Sequence, residues 1–313
     1  MTSGKLFELL IERMLSNAGF LKVEGDDLYI FNGPAGLMIN GLGQAHNADV
    51  LMSPPAQTPF YFPSRILIEC KDYKRPANLN VLRSALGLRE DINAFEIIDA
   101  EVLKSRRISN RSWSVYNYQR YHYQVGVASF KGFTIAAQEF AMAHRIPLIT
   151  FDKMPFWNSL SRMLNEMNAD NFNMLDERFD RQFIRACDNI AEKISVAMLD
   201  DGQMLFLYNL SNRATEFSED FYELYWQQKS SYWILKCGSV EYAFQLPRKI
   251  QEEWLKNSNS YNTLRYNALS CKEHYLSHLV VYYLEYGLAK IKILSINAER
   301  LQEAYDRFKM DNF

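Results

Sequence analysis

RILIECKDYKRP, residues 65–76, begins as a buried strand and ends in charge. Side chains on a strand alternate faces with a period of two, so Glu69 and Lys71 share a face while Cys70 turns to the other with Ile68. Two readings of that strand end stay open from these residues alone. One is a solvated ion pair. The other is a metal site with a lysine beside it, which needs further acids from elsewhere in the chain.

An acid stands about 20 residues earlier, in HNADVLMSP, where Asp49 interrupts an otherwise apolar strand. If the two strands are neighbours in a hairpin-like meander, the Asp49 and Glu69 carboxylates converge. Two carboxylates, the main-chain carbonyl of Cys70 and waters suit a hard divalent cation, Mg²⁺ with Mn²⁺ as a substitute. Such an ion stabilises a pentavalent phosphate and lowers the pKa of bound water. Lys71, on the same face, would orient that water or offset phosphate charge. The apolar first half of the strand then serves to hold the acid and the lysine rigidly side by side.

Around this strand the pattern is helix, three strands, helix, strand, helix, strand. Phe7, Leu10, Ile11, Met14, Leu15 and Ala18 recur at helical spacing and Gly19 ends the run. DLYIFNG and AGLMINGLG are short strand candidates among glycine turns, and NLNVLRSALGLREDI is a helix capped by Asn78. YQVGVAS, KGFTIAAQEFAMAH and IPLITFD then alternate strand, helix, strand. That alternation implies crossovers and a mixed central sheet, an α/β unit over residues 1–152.

Residues 153–313 read as a second, α+β unit. FWNSLSRMLNEMN and DERFDRQFIRACDNIAEKISVAML read as helices, QMLFLYNL as a strand, and SYWILKCGSVEYAFQL as a hairpin turning at Gly238. PRKIQEEWLK reads as a helix, GLAKIKILSI as a strand and NAERLQEAYDRFKM as a closing helix. No low-complexity linker separates the halves, so they are expected to pack together.

Bulk properties narrow the class. The chain has 313 residues and a formal net charge of -2, so no global field draws it to nucleic acid or membrane. Cys70, Cys187, Cys237 and Cys271 form no CxxC pair, which argues against zinc and a disulfide framework and for reduced thiols. MTSGKLFELLIERML lacks the basic leader and apolar run of a signal peptide, and no run approaches the ~18 apolar residues of a membrane span. A cytoplasmic protein without membrane attachment is expected.

The unit over residues 4–152 resembles the restriction-endonuclease-like PD-(D/E)xK nuclease superfamily, in its Mrr-like and Holliday-junction-resolvase-like branch. GKLFELLIERMLSNAGF is similar to the first helix of that family, GLGQAHNADVL to the strand bearing its metal-binding aspartate, and ILIECKDYKRPANLNVLRSALG to its catalytic strand and next helix. VGVASFKGFTIAAQEFAMAHRIPLITFD is similar to the closing β-α-β element of Mrr-like enzymes. The resemblance implies Asp49 and Glu69 as metal ligands, Lys71 as the catalytic lysine and Glu8 as the first-helix glutamate completing the site, with Glu12 its substitute one turn later. Ala48 departs from the proline or isoleucine that many relatives carry before the aspartate. The implied activity is metal-dependent endonucleolytic cleavage of DNA in restriction, phage defence or repair. It leaves room for a homodimer, since cutting two strands needs two sites, and for a partner protein of a defence system. The alternative is a catalytically silent nuclease-like module that binds nucleic acid or senses it with a partner.

Candidate DNA contacts follow from charge. Lys74 and Arg75 lie just past the site. KSRRISNRSWSVYNYQRYHY, residues 104–123, contains no acid and interleaves Arg106, Arg107 and Arg111 with aromatic rings suited to phosphates and bases. Its bland reading is a surface arm packed on the second unit. His46, His122 and His144 read as turn or surface histidines. Residues 153–313 carry 19 Lys and Arg against 22 Asp and Glu, so that unit is expected to supply selectivity or self-association rather than grip DNA by charge.

Overall fold

The computed structural model describes residues 3–25, 29–34, 36–57, 61–72, 74–96, 101, 104–105, 108, 120–167, 177–199, 202–211, 213–227, 232–246 and 261–310. Helix α1 (Ser3–Asn17) buries the expected stripe, with Leu6, Phe7, Leu10, Ile11, Met14, Leu15 and Ala18 all fully inside. It ends at Gly19, whose φ of +90° is the left-handed conformation glycine adopts without strain. A side chain there would also meet Ala289 at 2.7 Å, so the position is restricted twice over.

Six strands follow: β1 (Leu21–Lys22), β2 (Ile30–Gly33), β3 (Gly36–Asn40), β4 (Ala45–Asn47), β5 (Val50–Ser53) and β6 (Ser64–Lys71). Helix α2 (Leu79–Ala94) comes next, capped by the Asn78 side chain, which accepts from the N–H groups of Asn80 and Val81. Strand β7 (His122–Ser129), helix α3 (Ile135–Ala143), capped by Thr134, and strand β8 (Leu148–Ile149) complete this half. The sheet order is β1-β5-β6-β7-β8, antiparallel from β1 to β6 and parallel from β6 to β8. The architecture is mixed α/β.

Where three strands are expected before α2, there are six, in two sheets. β2, β3 and β4 form a separate antiparallel sheet. The single strand expected over HNADVLMSP is two, β4 and β5, parted at Ala48 and Asp49. The reason is local: the Asp49 carboxylate takes the N–H of Cys70 in place of a main-chain ladder partner.

The second half contains α4 (Trp157–Met167), α5 (Glu177–Ala191), β9 (Ile194–Met198), β10 (Met204–Asn209), β11 (Phe221–Gln227), β12 (Tyr232–Cys237), β13 (Val240–Phe244), α6 (Tyr261–Tyr275), β14 (His278–Glu285), β15 (Leu288–Ile296) and α7 (Ala298–Met310). The seven strands close into a barrel, β10-β13-β12-β11-β15-β14-β9, with β9 pairing back onto β10. Closure removes both sheet edges. The tail of the long helix expected through ISVAM is instead β9, which takes ladder partners from β10 and β14 on its two sides. The hairpin does turn at Gly238, with φ +58°. PRKIQEEWLK lies outside the described residues.

Alternation along β10 joins the halves. Leu205 and Leu207 face the barrel interior with Trp233, Tyr242 and Phe244. Met204 and Phe206 face the other way, into a core that also contains α1, Trp157 and Leu160 of α4, and Phe183, Cys187 and Ile190 of α5. That core covers one face of the β1-β5-β6-β7-β8 sheet, while α2 and α3 cover the other. Gln203 caps the β8 edge: its Nε2 donates to the Ile146 carbonyl at 3.2 Å and its Oε1 accepts from the Leu148 N–H at 3.2 Å. Among the described residues no helix is long and apolar enough to cross a membrane.

Candidate functional site

Strands β5 and β6 pair with Val50 opposite Ile68. Continued one step, that register sets Asp49 against Glu69, and both side chains line one cleft. Asp49 Oδ2 accepts the Cys70 N–H at 2.9 Å, and its Oδ1 accepts from Asn47 Nδ2 at 3.2 Å. Lys71 Nζ donates to Glu69 Oε2 at 2.7 Å, so the acid and the lysine do share a face. Cys70 packs with Ile68 against the α1 core, as the two-residue period requires. The N–H of Phe130 donates to the Lys71 carbonyl at 3.0 Å. Main-chain groups alternate sides along a strand, so the Cys70 carbonyl faces away from β7, toward Asp49.

Glu8 approaches from α1, on the opposite side of the sheet. Its carboxyl is 2.7 Å from Lys5 Nζ. Burial raises its pKa, Lys5 opposes that rise, and the Asp49 and Glu69 carboxylates add to it. Burial likewise pushes the Cys70 thiol well up, with Asp49, Glu8 and Glu69 adding repulsion, so the sulfur is an inert packing group. Glu8 thus feels both carboxylates across the end of β6. Glu12 does not join them; it pairs with Lys22 at 2.8 Å.

Asp49, Glu69 and Lys71 line a cleft of ≈ 650 Å³ whose far wall is the first half of α2. His46 lines the same cleft, with its Nε2 2.6 Å from Asp91 Oδ2 on α2. That imidazole, and then the Gly43 N–H, hold Asp91 below the usual carboxylate range. Sequence reasoning passes over this pair: His46 reads as a turn residue and Asp91 lies 45 positions later. The one available signal is that His46 precedes Asp49 by three.

Among the described residues no three His, Cys, Asp or Glu side chains stand close enough together to hold a metal ion. The donor set nevertheless fits Mg²⁺, which keeps several waters and is commonly held through one or two carboxylates. Asp49 and Glu69 offer hard carboxylate oxygens on the wall of one cleft, with the Cys70 carbonyl facing Asp49.

Lys74 and Arg75 are exposed beside the site and wall a shallow depression with Pro76 and Asn78. Arg106, Arg107 and Arg111 lie outside the described residues. The end of that arm is packed on protein. Arg120 bonds the Asn93 carbonyl at 2.8 Å and pairs with Glu96, and the Tyr121 ring lies 3.6 Å from the Arg65 guanidinium carbon.

No protein-family model and no curated protein matches the chain. Among solved structures, the protein of unknown function AF1548 is similar at 12% identity and a TM-score of 0.31, over 60% of this chain and 97% of that one. At that distance it bears on neither fold nor function.

Proposed function

We propose that the chain is a metal-dependent endonuclease hydrolysing DNA phosphodiester bonds, with a restriction-endonuclease-like layout in residues 1–152. The observation that carries this reading is that Asp49, Glu69 and Lys71 line one cleft at the open end of the β5–β6 ladder, with Lys71 bonded to Glu69. Asp49 and Glu69 would hold Mg²⁺, with the Cys70 carbonyl as a third donor. When bound, the ion supplies Lewis-acid polarisation of a phosphate oxygen and a more acidic water. Lys71 orients the attacking water and offsets charge growing on the phosphate. Glu69 fixes where the ammonium sits. The water oxygen forms the new P–O bond and gives up its proton to solvent, while the P–O bond to the leaving oxygen breaks and that oxygen takes a proton from solvent.

Two measurements test this. Supercoiled plasmid is expected to be nicked with Mg²⁺ or Mn²⁺ and left intact with EDTA. Mg²⁺ is also expected to raise the thermal midpoint of the wild type, since a ligand at about 100 times its Kd stabilises the folded state by about 2.7 kcal/mol. Asp49→Asn should remove that rise. DNA binding with no nicking under any divalent ion would support the silent nuclease-like module instead, and cleavage of RNA alone would change the substrate.

Lys74 and Arg75 supply phosphate contacts in this reading. Replacing both with Ala is expected to lower the log–log salt slope of duplex binding by about 1.8, from roughly 0.9 per lost contact. A slope identical to wild type would remove them from the interface.

A further inference from the structure

Asn47 is the last residue of β4 and stands opposite Met38 in the β2-β3-β4 sheet. Two residues on, Asp49 leads into β5 of the central sheet. The Asn47 side chain spans that break. Its Nδ2 donates to Asp49 Oδ1 at 3.2 Å, and both residues line the same cleft. The amide is held this way round, because the reverse would press its oxygen against a carboxylate oxygen.

The other end of that amide needs a reason. Asn47 Oδ1 is shut off from solvent and has no hydrogen-bond partner among the described residues. A buried acceptor left unmatched is costly, and an apolar side chain of the same shape would avoid the cost. Folding alone therefore gives no reason for an amide here. The gain is at Asp49. A single donor leaves a carboxylate able to turn about its broad terminal torsion. Asp49 has two, the Cys70 N–H on Oδ2 and the Asn47 amide on Oδ1, and donors on separate oxygens set the carboxylate plane. Each oxygen keeps a second lone pair for a cation. Both donors are neutral, so they orient Asp49 without cancelling its charge, whereas Glu69 is already paired with the Lys71 ammonium.

We propose that Asn47 is a positioning residue: it holds the Asp49 carboxylate in the orientation that takes a divalent cation, while its own oxygen stays unmatched. This rests on the metal-dependent reading above and gives the small β2-β3-β4 sheet a part in it, that of carrying the amide to the cleft. Hydrogen bonds that orient a ligand in this way are worth about 10- to 100-fold in metal affinity.

Calorimetric titration of the full chain with Mg²⁺, in wild type, Asn47→Leu and Asn47→Ala, tests it, beside thermal melting without divalent ions. Both variants are expected to bind Mg²⁺ about 10- to 100-fold more weakly. The Mg²⁺ concentration for half-maximal plasmid nicking should rise by the same factor. Without metal, Asn47→Leu should melt at or above the wild-type temperature. It removes the unmatched oxygen, and water in the cleft takes the place of the amide at Asp49. Melting several degrees lower would assign the amide to folding and overturn the proposal. So would wild-type Mg²⁺ affinity in both variants. Failure of the nuclease reading is a different result, in which the wild type itself takes up no Mg²⁺ and nicks no plasmid, and the proposal falls with it.

Discussion

Lys71→Ala is expected to slow plasmid nicking by about 10²- to 10⁴-fold, the cost of losing one electrostatic or proton-transferring contributor. The ammonium is 2.7 Å from Glu69 Oε2 and its side chain is only 23% exposed, so the charge is held at the cleft wall, and an entering water would restore neither the charge nor its position. Glu69→Gln should produce a loss in the same range by a different route. It keeps the shape and one acceptor oxygen but removes the charge that holds Lys71 and, in the proposed function, the metal. Both variants should retain the wild-type thermal transition to within a few degrees, since partly exposed ion pairs contribute about 0–1 kcal/mol. Both should still bind duplex DNA, because the proposed phosphate contacts of Lys74 and Arg75 are untouched. If either variant cuts at the wild-type rate, the assignment of this site is wrong.

Phe7→Ala is expected to lower the unfolding free energy by about 3–5 kcal/mol, as large-to-small changes at fully buried aromatics do. Phe7 has no exposed surface, and its ring lies 6.1 Å from that of Phe130 and 6.4 Å from that of Trp157. One ring is on the loop after β7 and the other opens α4, so the cavity would sit between the two halves of the chain. Because α1, α5 and β10 share that core, both halves should unfold in one transition. Urea titrations followed by tryptophan fluorescence and by far-ultraviolet circular dichroism should coincide and shift together in the variant. A loss under about 1 kcal/mol, or two separated transitions, would show that the core is not shared as described. By the same reasoning a chain cut at Asp152 exposes the apolar face of α1 and is expected to aggregate.

The site strand was legible because its signal is local. Ile66, Ile68 and Cys70 alternate with Leu67, Glu69 and Lys71, and a period of two assigns faces without knowledge of neighbours. Asn78, Gly19 and Gly238 were legible for a related reason: a cap or a left-handed turn is decided within about four residues. That Asp49 meets Glu69 needed only that β5 and β6 be adjacent, which a connection of ten residues between Ser53 and Ser64 favours.

Sequence by itself therefore determined the helices with one apolar face, their caps, the faces of β6 and the residue types gathered at its end. Tertiary structure decided what depends on distant partners. ISVAM is apolar in every position but one and carries no period, so it could extend α5 or form a strand. The ladder bonds from β10 and β14 settle it as the strand that closes the barrel. β11 went unread for the same reason, since its parallel pairing with β15 joins residues more than 70 positions apart, whereas β14 went unread although its hairpin with β15 is local, with Glu285 opposite Leu288. The His46–Asp91 pair and the unmatched Asn47 oxygen are likewise products of packing. A hydrogen bond between residues 45 positions apart, or a donor missing from a buried amide, leaves no periodic trace in a sequence. Only the fold decides which groups are brought within about 3 Å of each other and shut away from water.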